Sequence, residues 1–193
     1  MSGLSLTAPL VLLATVLVGR SVAGAASFTL QPPQRAEALR VGAQSVTKES
    51  FDSEWRVANP AGDSLTVITP FHRLVLAARN AAFKNERMKD SEPDKLLREQ
   101  QDRLVIWANL RGPREDFARF FAPRILLGDR EIEPAFVQNE RTALRTESGA
   151  YLARCVYGFP VKEIAPKSRL TLVVRDPDGR DVSRFTIDLA SMR

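Results

Sequence analysis

A chain of 193 residues, 44% hydrophobic and 26% charged, has room for one good core and lacks the composition of a disordered polymer. Its net charge of +5 is scattered over 28 cations rather than gathered into a stripe, which argues against a nucleic-acid binder. The single cysteine, Cys155, excludes an intramolecular disulfide.

Leu4 to Val18 is almost wholly apolar, and SVAGAAS follows with small residues at Ala23 and Ala25. An apolar run of this length ending in an A-x-A pattern reads as a cleavable export signal over residues 1–25. It falls short of the roughly 20 apolar residues that cross a bilayer. Arg20 lies beyond the run and no Lys or Arg precedes it, so an uncleaved anchor is the competing reading. The expected location is the periplasm or the exterior. Residues 1–25 hold Arg20 and no acid, so the remainder carries +4. With 22 arginines and 6 lysines, such a chain could meet anionic lipid, polysaccharide or an acidic partner surface.

Pro32 and Pro33 bias residues 26–40 towards an extended linker, leaving 41–193 as a single domain. RVGAQSV and SEWRVANP are candidate strands, NPAGD is turn chemistry, and SLTVIT is a strand rich in β-branched residues. Thr69-Pro70 predicts a helix start, Thr as N-cap and Pro in the first turn. Phe71, Leu74, Val75, Ala78, Ala81 and Ala82 then recur at helical spacing. Ser91, three residues before Asp94, starts a second helix. The prediction is a helical pair, 70–88 and 92–103, inserted into a β domain.

After Leu104 the texture is that of strands. LVIWANLRG is apolar on both faces, as a central strand would be. FARFFAPRILL and REIEPAFV flank a Gly128-Asp129 hairpin turn. In AYLARCVYGF, Tyr151, Ala153, Cys155, Tyr157 and Phe159 share one face. Leu170, Leu172 and Val174 alternate before DPDG, and Phe185, Ile187 and Leu189 after it. Glu147, Gly149 and Tyr151, at alternate positions in ESGAYLA, resemble the tyrosine corner of immunoglobulin-like sandwiches, with Ala153 where antibody domains carry cysteine. That resemblance implies structural roles for Gly149 and Tyr151, the tyrosine hydroxyl bonding back to upstream backbone. The fold class expected is mainly β: an immunoglobulin-like sandwich with a helical insertion over 70–103.

Chemistry is sparse. His72 is the only histidine, about 100° round the helix from Phe71, with no evident orienting acid or nucleophile. Cys155 falls mid-strand among aromatics, a setting for an inert core thiol. Asp176, Asp178 and Asp181 suggest a calcium loop, but Arg180 and Ile187 stand where an EF-hand needs oxygen ligands. No G-x-S-x-G, G-x-G-x-x-G or G-x-x-x-x-G-K-S/T motif occurs, so neither a serine hydrolase nor a nucleotide site is expected. No metal or cofactor is expected either. Glu131 and Glu133 share a strand face, which does not by itself make a glycosidase pair. Leu76 and Phe83, seven apart on the helix, widen its apolar surface into a candidate docking strip edged by His72, Arg79 and Arg87. The sequence therefore points to an exported, non-enzymatic interaction or assembly module with a protein partner. The alternatives are an exported hydrolase using Cys155 and His72, and a binder of anionic lipid or polysaccharide.

Overall fold

A computed structural model describes residues 26–193; the expected export signal over residues 1–25 lies outside the described residues. In chain order the elements are α1 (Pro32–Gln44), β1 (Arg56–Ala58), β2 (Ser64–Ile68), α2 (Pro70–Phe83), α3 (Glu92–Gln100), β3 (Arg103–Gly112) and β4 (Ala122–Leu127). β5 (Arg130–Ile132), β6 (Phe136–Gln138), β7 (Leu144–Arg145), β8 (Tyr151–Pro160), β9 (Arg169–Arg175) and β10 (Asp181–Asp188) follow. The described residues are mainly β, with ten strands in two antiparallel sheets. One sheet runs β1-β2-β3-β8-β6, with β7 also on β8; the other runs β10-β9-β4-β5.

The late strands follow the alternation in the sequence. β3 and β8 pair from Arg103↔Pro160 to Gly112↔Tyr151. They bury Leu104, Ile106, Ala108 and Leu110 against Ala153, Cys155, Tyr157 and Phe159. The second sheet contributes Ile125, Leu170, Leu172, Phe185 and Ile187 to the same apolar core. Side chains of this size each contribute about 1.5–3 kcal/mol on burial, so the shared core is what holds the two layers together. Gly128 (φ 60°) and Gly179 (φ 80°) supply left-handed positions in the two hairpin turns. In the second turn Asp176 Oδ1 accepts from the N–H groups of Asp178 (3.0 Å) and Arg180 (2.9 Å), so this carboxylate closes its own loop. The Arg180 N–H, and then its guanidinium, hold the Asp176 carboxyl below the ordinary range.

A buried carboxylate ties the sheets together. Asp63 Oδ2 accepts from Ser183 Oγ of β10 at 2.7 Å, while Oδ1 accepts from the Arg111 N–H of β3 at 2.8 Å. With further help from Asn59 Nδ2 at 3.3 Å the charge is satisfied, which is what its burial demands.

The N-terminal part differs from expectation. Residues 26–40 are not an extended linker. Ala26 and Leu30 are buried in the core, and α1 occupies Pro32–Gln44. Prolines 32 and 33 fall in the first turn, where no intrahelical N–H is required, and the Gln31 N–H donates to Gln34 Oε1 at 2.8 Å. RVGAQSV is thus the end of a helix rather than a strand. Gly42 in its last turn lies where α1 crosses α2. A Cβ there would run into the Val75 carbonyl oxygen and come within 2.7 Å of Ala78 Cβ.

Thr69 caps α2 as expected, its Oγ1 accepting from the His72 N–H at 3.1 Å. The helix stops at Phe83, short of the expected 88, because Asn85 turns left-handed (φ 55°). The Glu86 and Asn85 N–H groups then close back on the Ala81 and Ala82 carbonyls, a Schellman end.

Candidate functional site

His72 has an acid after all. The ring is fully buried, with Nδ1 3.0 Å from the Val67 carbonyl oxygen and Nε2 2.9 Å from Asp52 Oδ1. It lies flat on the Trp55 indole, with centroids 4.0 Å apart and planes 4° off parallel. Asp52 reaches it by adopting a left-handed φ of 71°, a region aspartate tolerates better than most residues. Trp55 Nε1–H donates 2.9 Å to the Arg193 main-chain oxygen, which also accepts from the Thr69 hydroxyl. The Arg193 guanidinium makes a bidentate pair with Glu54 at 2.9 and 2.8 Å.

The chemistry of this cluster follows from counting protons. A carbonyl only accepts, so Nδ1 carries a hydrogen for Val67. The Nε2–Asp52 contact is then a hydrogen bond only while the pair holds one further proton. No ring nitrogen is left to serve a nucleophile. The arrangement fastens the segment before β1 to the start of α2. Being buried, His72 cannot edge a docking strip, contrary to expectation.

Cys155 is elsewhere, buried mid-strand on β8 with Tyr157 and Glu140 as its polar neighbours. Burial pushes its thiol above the ordinary value, so it stays protonated at neutral pH. The native protein should therefore resist iodoacetamide at neutral pH and take up one equivalent after unfolding in guanidinium. Intact-mass measurement reads both states, and rapid native alkylation would contradict the assignment.

The tyrosine corner is not formed. Gly149 does turn left-handed (φ 86°) between β7 and β8, but the half-buried Tyr151 makes no hydroxyl hydrogen bond among the described residues. Tyr157 is the tyrosine whose hydroxyl is engaged, 3.3 Å from Asn139 Oδ1.

An open groove lies on the outer face of the first sheet. β3 is central there, with Trp107 between Thr66 of β2 and Val156 of β8, and the indole is 39% exposed. Two hollows, of about 360 and 190 Å³, share Arg73 and Trp107. The larger is walled by α2, the segment 84–91 and α3, with Leu76, Met88, Leu96 and Arg87 in its lining. The smaller continues past Val105 and Arg103 to Phe136. Gly158 makes room for the Phe136 ring, since any Cβ would strike it, and the Arg103 guanidinium sits 5.9 Å from that ring's centroid.

The expected docking strip is therefore divided. Leu76 and Arg87 line the larger hollow. Phe83, 77% exposed, stands beyond the lining of both hollows. Arg79 packs elsewhere, its guanidinium 3.9 Å from the Phe51 ring centroid and Nη2 3.5 Å from the Val46 carbonyl oxygen. Trp107 was missing from the predicted site, although strand alternation already sets it with Val105 and Asn109, opposite Ile106 and Ala108.

No family model matches the chain, and no curated protein does. Two solved structures are similar in outline. One is a protein of unknown function from Burkholderia pseudomallei K96243, 10% identical, covering 84% of this chain and 91% of its own, with a TM-score of 0.44. The other is the IgNAR antibody domain C1, 10% identical over 53% of this chain and 84% of its own, with a TM-score of 0.31. Neither likeness assigns a family or an activity.

Proposed function

We propose that this chain is an exported, non-enzymatic interaction module, an immunoglobulin-like sandwich that docks a protein partner in the groove at Trp107. The observation that carries this reading is the half-exposed indole on a central strand at the junction of two hollows, with Arg73, Arg87 and Arg103 around it. Tryptophan and arginine are the residues that dominate interface energetics when they sit in concave, partly dry positions. The sandwich reading draws support from strands that cross between layers: β3 belongs to one sheet, β4 and β5 to the other, β8 returns, and β9 pairs with β4. Export draws support from the apolar run of residues 4–18 and the A-x-A pattern at Ala23 and Ala25.

The competing proposals have less behind them. A Cys155–His72 hydrolase would need a ring nitrogen that Val67 and Asp52 already engage. An anionic-surface binder would need its unpaired cations on a face clear of acids, yet the hollow that holds Arg73, Lys84 and Arg87 also holds Glu86 and Glu92. A photo-crosslinker at Ala77, beside the groove, should capture a specific protein in the native extracytoplasmic fraction, while one at Ser148 should not. Trp107→Ala should abolish that capture while the protein stays folded, at a cost of about 1–2 kcal/mol because part of the indole is already exposed. Equal capture from both positions, or capture indifferent to Trp107→Ala, would refute the groove as the docking site.

A further inference from the structure

One charge in the groove stands apart from the rest. Lys84, Glu86, Arg87, Glu92, Glu99 and Arg103 are all exposed, whereas Arg73 is half-buried and lines both hollows beside Trp107. Glu99, the acid of the smaller hollow, lies 3.9 Å from Lys95 instead, and Arg103 is occupied with the Glu99 carbonyl. Arg73 forms no ion pair among the described residues. Arg73 is the cation that both hollows share beside the indole, and its planar fork matches a carboxylate in bidentate geometry.

The geometry points to an acidic segment of a partner protein as the occupant, with one carboxylate on Arg73 and a neighbouring leucine or aromatic side chain on Trp107. This inference rests on the groove being the docking site and names what fills it. A flat membrane fits poorly, because Arg73 and the indole line hollows walled by α2, the segment 84–91 and α3, which a planar surface does not enter. A flexible segment can insert a single carboxylate there. Its apolar side chain then covers the indole, so the charge pair forms away from water.

The test uses the full chain with three fluorescein-labelled hexapeptides that alternate leucine and phenylalanine with glutamate, glutamine or lysine. The glutamate peptide should bind at least about tenfold more tightly than the glutamine peptide, and the lysine peptide more weakly than either. Arg73→Gln should erase that preference by weakening the glutamate peptide far more than the glutamine peptide, and Trp107→Ala should weaken both. Backbone amide shifts should centre on residues 73 and 107, and circular dichroism should show both variants folded. Equal affinity for glutamate and glutamine peptides at Trp107 would overturn the acidic partner and leave the groove reading intact. Shifts centred elsewhere would overturn both. Absence of binding, or equal binding to phosphatidylglycerol vesicles with the same dependence on Arg73, would overturn the acidic segment, and the Ala77 crosslink would then decide the groove on its own.

Discussion

Replacing His72 with alanine is expected to cost about 3–5 kcal/mol of stability, which for a domain of this size lowers Tm by roughly 10 °C or more. Three losses combine. The buried Val67 carbonyl loses its partner, at about 1–3 kcal/mol, and the half-buried Asp52 carboxylate keeps only Arg56 at 4.0 Å. The Trp55 indole loses the ring stacked on it at 4.0 Å. The void left behind adds a cavity term. Asp52→Asn should be far milder, because an amide can accept from Nε2–H or donate to a bare Nε2 without the extra proton the carboxylate needs. Thermal melts of the two variants side by side give the answer. If Asp52→Asn is as damaging as His72→Ala, the proton count proposed for the pair is wrong.

Gly42→Ala is expected to cost about 3 kcal/mol, near the upper end of overpacking. The obstacle is backbone: the added methyl meets the Val75 carbonyl oxygen, which cannot rotate aside, so α1 and α2 must move apart. Gly158→Ala provides the internal comparison. Its methyl would also clash, but with the Phe136 ring, a half-buried side chain on a short edge strand that can swing outward. About 1–2 kcal/mol is expected there. Chemical denaturation of the two variants should rank Gly42→Ala as the more damaging. The reverse order would mean that the helix crossing is looser than the glycine contacts imply.

How much could be read from the residues depended on the range of the forces involved. The final hairpin was legible because Leu170, Leu172, Val174, Phe185, Ile187 and Leu189 alternate, and every one of them is buried. The cap at Thr69 was legible because it is chemistry within one turn. α1 was not. Two adjacent prolines favour an extended chain unless they occupy a helix's first turn, and the buried face that decides the matter is carried by Ala38 and Gly42, too small to mark a stripe. The partnership of His72 with Asp52 spans twenty residues and depends on a left-handed aspartate, which no periodicity announces. Trp107 sits in an apolar run that predicts a strand covered on both faces; it is half-exposed because the helical insertion borders the outer face without covering it.

The helix crossing at Gly42 has a bearing on recognition. With α1 and α2 in backbone contact there, the α2 wall of the groove is stiff, whereas the opposite wall hangs on the segment 84–91 and a nine-residue α3. Adjustment to a visitor would fall on that second wall alone. Little freedom is then lost along α2 when the site fills, so variants of a bound sequence should differ mainly in how long they stay rather than in how fast they arrive.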